Sequence, residues 1–271
     1  MGFLSHKVKR SELEAGDHIY TWRAGFTYSH HGIYIGGDKV VHFTQDQSLS
    51  SGSFSSMCFF SSDIASVCLD FPDCGFRKHR SGVVMSCLNC FLGSGSLYRF
   101  EYGVSREAFI AKLRGGTCTT AKSDPPEPVI HRAMYLLHNG FGNYDLLTNN
   151  CEDLALYCRT GLVICGRKAS GGSGQASSAV SVPVAAVLSL PLGIFVSSPV
   201  LIGATAVVNY TLNRYATDVG VRDDVVKVKV EDMAAYHGYL PAEEGACGDD
   251  VDIGEVRPTK RRRTGEQIGD G

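Results

Sequence analysis

The stretch Ser29-His30-His31-Gly32-Ile33-Tyr34-Ile35-Gly36-Gly37-Asp38-Lys39-Val40-Val41-His42-Phe43-Thr44 constrains the fold more than any other part of this chain. Two apolar runs flank Gly36-Gly37-Asp38, a hairpin signal in which glycine supplies a left-handed turn position. Side chains alternate faces along a strand, so Ile33 and Ile35 lie on one face, and His30, Gly32 and Tyr34 on the other. On the returning strand Val41 and Phe43 share a face opposite to His42. A three-residue loop over residues 36–38 sets odd-numbered residues against odd-numbered ones and keeps the apolar set on one core face. That register places His42 opposite Gly32 and diagonal to His30, about 7–8 Å away between backbones. A two-residue loop would pair His42 with His31 and split the apolar set between faces, against the pattern. Residues 17–22 form another apolar run and read as a further strand.

Residues 150–159 carry Leu154, Ala155 and Cys158 at helical spacing, with Asn150 as a natural N-cap and Glu152 and Asp153 in the first turn. Cys151 then sits at a helix N-terminus, where the partial positive charge lowers a thiol pKa. Glu152 and Asp153 oppose that effect, so an imidazolium, more than the helix dipole, would have to hold Cys151 ionised. A cysteine with two imidazoles supplies the parts of a thiol acyl-transfer site. The same residue types also suit a buried small hydrophobe and satisfied core histidines.

The segment Tyr28 to Phe43, together with Asn-Asn-Cys-Glu-Asp-Leu-Ala-Leu-Tyr-Cys ending at Cys158, closely resembles the lecithin:retinol acyltransferase domain. Within that family it is most similar to the plant group called NC-domain or LEAD-SENSITIVE proteins. The resemblance implies that His30, His42 and Cys151 form the catalytic set. It also implies an α+β fold: a circularly permuted NlpC/papain-like domain with an antiparallel sheet and a cysteine-bearing helix, followed by a C-terminal apolar helical segment. It runs from about residue 9 to about residue 222.

A chain of 271 residues with formal net charge −2 can bury one substantial core, and its bulk charge favours neither nucleic acid nor an acidic ligand. Residues 1–10 lack the apolar core of a signal peptide, so the ten cysteines are expected in reducing cytosol. Gly2 invites a myristoylation reading, but His6 stands where serine or threonine is expected. Local punctuation predicts a strand over 96–102, a Ser105-capped helix through residue 113 and a longer helix from Pro125-Pro126 to Gly140. The expected organisation is a catalytic domain over 9–165 with a cysteine-bearing insertion at 63–90. A Gly/Ser linker at 166–179, an apolar segment at 180–208, an extension at 209–240 and a disordered tail at 241–271 follow.

Cys87-Leu88-Asn89-Cys90 is half of a typical structural zinc site, and Cys74 stands nearby. Cys74, Cys87 and Cys90 are therefore candidate ligands for a structural zinc, with Cys68 or His79 as the fourth at unusual spacing. A reduced, metal-free loop is the competing reading. Residues 180–208 are long and apolar enough to enter a bilayer, although Pro183, Pro191 and Pro199 favour broken or re-entrant helices. A helical hairpin packed on the domain is the alternative. Lys260-Arg261-Arg262-Arg263 has the composition of a nuclear-import signal or an anionic-lipid contact, or of plain solvated charge.

The expected activity is a thiol-dependent acyltransferase or phospholipase working on lipid acyl esters through an acyl-cysteine intermediate. The resemblance supplies the substrate class, and catalysis requires no cofactor. The expected location is cytoplasmic and membrane-associated, with phospholipid as partner. Two alternatives stand beside it: a membrane-associated, non-catalytic adaptor or stress-response protein, and a cysteine peptidase or amidase.

Overall fold

The hairpin strands and the helices at 126–139 and 151–160 arise where local pattern and burial agree. The computed structural model describes residues 5–23, 28–45, 68, 71–78, 82–112, 114–165, 173–176, 178, 182 and 199–233. Strands β1 (His6–Lys7), β2 (His18–Arg23), β3 (Tyr28–Gly36), β4 (Lys39–Phe43), β5 (Val83–Cys87) and β6 (Tyr98–Arg99) form a six-stranded antiparallel sheet in the order β1-β6-β2-β3-β4-β5. The helices are α1 (Leu88–Leu92), α2 (Arg106–Ala111), α3 (Pro126–Asn139), α4 (Cys151–Thr160) and α5 (Pro199–Ala216). A second antiparallel pair joins β7 (Leu162–Ile164) to β8 (Val225–Lys227).

The β3–β4 register has Gly32 opposite His42, as the face argument requires, but the loop differs. Gly37 and Asp38, with φ of 57° and 56°, make a two-residue turn, and the register shifts between Tyr34 and Gly36. The bulge at Ile35 inserts the odd residue that a three-residue loop was expected to supply, so the apolar set stays on one face. Ile33, Val41 and Phe43 pack there against Val129, Ala133 and Leu136 of α3 and Leu154 and Ala155 of α4. The other face meets α1, where Val40 and Ile19 pack against Leu88, Phe91 and Leu92.

Residues 83–87, within the stretch expected as a cysteine-bearing insertion, form a buried strand paired along β4. Their uninterrupted burial removes the two-residue alternation that marks a half-exposed strand. The expected strand over 96–102 is reduced to β6, extended by the Phe100 amide donating to the His18 carbonyl. The caps follow the sequence: Ser105 Oγ accepts the Ala108 amide, Pro126 opens α3 and Gly140 closes it.

Most of the apolar stretch at 180–208 lies outside the described residues, as does the tail at 241–271. Among the described residues no helix is long and apolar enough to cross a membrane. Helix α5 nevertheless exposes Val200, Leu201, Val207, Val208 and Leu212.

Candidate active site

Asn150 builds the N-terminus of α4. Its side-chain oxygen accepts the amides of Glu152 (2.8 Å) and Asp153 (3.3 Å), and Asp153 returns a bond to the Asn150 amide at 2.9 Å. The cap leaves the Cys151 amide, which faces its own sulfur. Cys151 is 4 % exposed, and its Sγ lies 3.9 Å from the Ser29 carbonyl while the His31 amide is directed at it. The thiol thus sits beside the backbone that flanks His30 on both sides.

His30 and His42 meet on the opposite face of that strand pair. His30 Nε2 and His42 Nδ1 are 3.0 Å apart, and His42 Nε2 reaches Ser86 Oγ of β5 at 2.9 Å. Phe91 packs on both rings, with centroids 5.3 and 5.5 Å away. Gly32 makes that contact feasible, since a Cβ there would stand 3.0 Å from Phe91 Cε2 and 2.6 Å from Val40 Cγ1. Arg23 fixes the end of α1 by donating to the Phe91 and Leu92 carbonyls at 2.6 and 3.1 Å. Among the described residues, His30 Nδ1 is buried without a hydrogen-bond partner. Of the three expected catalytic residues the structure thus brings His30 and His42 together, while the Cys151 sulfur packs with Ile33 and Val41 and makes no hydrogen bond to either ring.

His31 points to the other face, into a separate buried network. Its Nδ1 is 2.8 Å from His18 Nε2 and its Nε2 is 2.8 Å from Ser29 Oγ, while His18 Nδ1 reaches the Tyr102 hydroxyl at 2.7 Å. Glu152 lies 4.0 Å from His31 Nε2, too far for a hydrogen bond. Its carboxylate instead accepts the Gly174 amide at 2.8 Å and the Gln175 amide at 3.1 Å. Gln175 then straddles Ser29, accepting its amide at 2.6 Å and donating to its carbonyl at 2.9 Å. Ser173 Oγ accepts the Asn150 side-chain amide at 2.9 Å. Residues 173–176 come from the stretch expected to be a linker, and they clasp the start of the cysteine helix.

Burial sets the charge state. It pushes the Cys151 thiol up to about 12, with Glu152 and Asp153 adding to the shift. It also holds His42 down at about 3, and pushes His30 well below the ordinary imidazole value, reinforced by His42 and Arg23. Both effects favour a neutral thiol and neutral imidazoles, so the ionised cysteine considered from sequence is not the resting form.

The expected metal ligands Cys74, Cys87 and Cys90 converge, and Cys68 joins them: the four sulfurs all lie within 4.8 Å of one another. His79, the other candidate fourth ligand, lies outside the described residues. Reasoning from sequence passed over Ser86, Phe91, His18 and Gln175 as site residues. Only Ser86 had a usable signal, as the lone hydroxyl in the run Val83-Val84-Met85-Ser86-Cys87.

The family model described as lecithin retinol acyltransferase matches residues 11–164. The chain is 49 % identical over 234 residues to Protein LEAD-SENSITIVE 1 of Arabidopsis thaliana, covering 86 % of this chain and 90 % of that one. No solved structure matches.

Proposed function

Because the chain belongs to the lecithin retinol acyltransferase family, we propose that it is a thiol-dependent acyltransferase or phospholipase that takes the acyl group of a glycerophospholipid ester onto Cys151. The observation that carries this reading is the unpaired Nδ1 of His30, held by the 3.0 Å bond to His42 in the strand segment that touches the cysteine sulfur. Histidines that precede the cysteine in sequence support reading the fold as a circular permutation of the papain-like arrangement.

A base at Nδ1 fixes the tautomers. With Nδ1 bare, the His30 proton is on Nε2 and donates to His42 Nδ1, and His42 Nε2–H donates to Ser86 Oγ. As Cys151 Sγ attacks the ester carbonyl, its proton passes to His30 Nδ1. This transfer requires the strand segment at residues 29–31 to turn, because at rest the thiol packs with Ile33 and Val41 and the His30–His42 pair lies on the other face. The resulting imidazolium keeps its Nε2–H bond to His42. The neutral resting pair makes this transfer concerted with attack instead of preceding it. The Cys151 amide is the donor to the developing oxyanion. His30 then returns the proton to the departing lysophospholipid oxygen, leaving a thioester that water, an alcohol or an amine resolves.

A lipid substrate is supported by Leu146 and Leu147, which are 52 % and 45 % exposed in the loop leading directly to Asn150. Asp145 shapes this loop by accepting the Leu147 and Thr148 amides at 2.9 and 2.8 Å. An apolar tip so close to the nucleophile suits a cytoplasmic enzyme that works at a membrane surface. One observation favours the second reading, a non-catalytic adaptor: at rest Cys151 is buried and protonated.

Intact-mass analysis after incubation with phosphatidylcholine vesicles separates the two. We expect an acyl adduct that is absent in Cys151→Ala and forms about 10²–10⁴-fold more slowly in His30→Ala. His31→Ala is expected to retain most of the rate. No adduct and no lysophospholipid across neutral and anionic lipids would overturn the lipid acyltransferase reading and favour the adaptor.

A further inference from the structure

Cys87 is the N-cap of α1, and its sulfur accepts the Cys90 amide at 3.3 Å. The Cys87 amide in turn donates to Cys74 Sγ at 3.2 Å, and Cys68 Sγ lies 3.7 Å from Cys87 Sγ. Amide donors aimed at sulfur stabilise thiolates, and a tetrahedral zinc with bonds of ~2.3 Å sets its four sulfurs about 3.8 Å apart. The four sulfurs here, none more than 4.8 Å from another, need only a small contraction to reach that geometry. Three separate pieces of chain contribute: position 68, the turn at 71–76 and the β5–α1 junction. The turn is already laced to β5, since Gly75 donates to the Met85 carbonyl and Met85 to that of Phe76.

We propose that Cys68, Cys74, Cys87 and Cys90 bind one Zn²⁺ as four thiolates, and that this ion positions the His30–His42 pair. Four protein ligands leave no open coordination position, so the ion's role is structural. Its place in the fold gives that role a target. Ser86, which holds His42 Nε2, directly precedes the ligand Cys87, and Phe91, which packs on both imidazoles, directly follows the ligand Cys90. The ion therefore closes the corner from which both positioning contacts are made. The assignment does not depend on the proposed chemistry.

Elemental analysis of the full chain, purified under reducing conditions, is expected to give one zinc per chain. Replacement by Co²⁺ should give the thiolate charge-transfer bands and visible d–d bands of a tetrahedral tetrathiolate site. Each of Cys68→Ser, Cys74→Ser, Cys87→Ser and Cys90→Ser should lose the stoichiometric ion. Because those variants can misfold, the positioning claim is read on the unmutated chain by hydrogen exchange before and after chelation. Exchange should quicken at least about tenfold at residues 39–43 and 83–92, stay unchanged in α3, and be restored by Zn²⁺ alone. A chain without zinc whose four thiols titrate freely or form disulfides would overturn the site. Full zinc in Cys68→Ser would overturn the four-thiolate set. Unchanged exchange at residues 39–43 after zinc removal would overturn the positioning role.

Discussion

His18, His30, His31 and His42 are each at most 6 % exposed, and burial holds all four below the ordinary imidazole value near 6.5. For His31 and His42 the depressed value is about 3. Between pH 3 and 6.5 the unfolded chain therefore binds protons that the folded chain refuses, so stability rises with pH through that window and is lost on acidification. Glu152 runs the other way, because burial lifts it to about 7 and the folded state holds its proton more tightly above the ordinary carboxyl range. Four histidines outweigh one glutamate. Denaturant titrations at pH 7.5, 6 and 5 should show stability falling by about 1.4 kcal/mol per pH unit for each net proton taken up on unfolding. Stability that holds steady down to pH 5 would contradict the neutral, buried state of these rings.

At the level of elements, the β3–β4 hairpin depends on a glycine that no turn requires. Gly32 lies under Phe91 and Val40, so Gly32→Ala must displace one of them or lift the strand. Overpacking of this kind costs about 1–3 kcal/mol. We expect a lower Tm for Gly32→Ala, together with altered ring-proton shifts of His30 and His42, while His31, on the opposite face, is little affected. The hairpin register, the Asn150 cap and helix α3 were legible because each is written in neighbouring residues: alternation, a capping side chain, a proline before and a glycine after. The bulge at Ile35 was not, since a two-residue turn with a bulge and a three-residue loop leave the same apolar set on the core face. Nor was β5, whose pairing with β4 is made across some forty residues and whose buried run has no period. The choice between Cys68 and His79 as fourth ligand stayed open for a similar reason, because neither separation fits a regular ligand spacing. Gln175 carries no signal at all in a Gly/Ser-rich stretch.

For the whole molecule, the family match ends at residue 164, yet the core continues past it. Val228, Val230 and Met233 belong to the cluster containing Cys151, and Tyr157 donates its hydroxyl to the Val228 carbonyl at 3.0 Å. β8 pairs with β7, and Asp218 accepts from both Thr119 and Thr120. A chain ending at residue 165 would also strip Glu152 of its Gly174 and Gln175 donors, leaving a fully buried carboxyl unsatisfied. Such a group costs at least about 1–3 kcal/mol. Residues 1–165 are thus expected to lack a cooperative thermal transition by circular dichroism, whereas residues 1–240 should retain one. Equal transitions would show that the later residues are dispensable for folding.

The Gln175 clasp on Ser29 bears on how this chain avoids sticking to itself. β4 stops pairing with β3 at Gly32, and beyond that point the sheet would present bare backbone of the kind that recruits strands from other molecules. Cys151 meets that edge near His31, and one carboxamide supplies at Ser29 the donor and acceptor that a neighbouring strand would offer. Among the described residues that carboxamide occupies the strand edge at Ser29, so the segment that clasps the cysteine helix also blocks strand addition there.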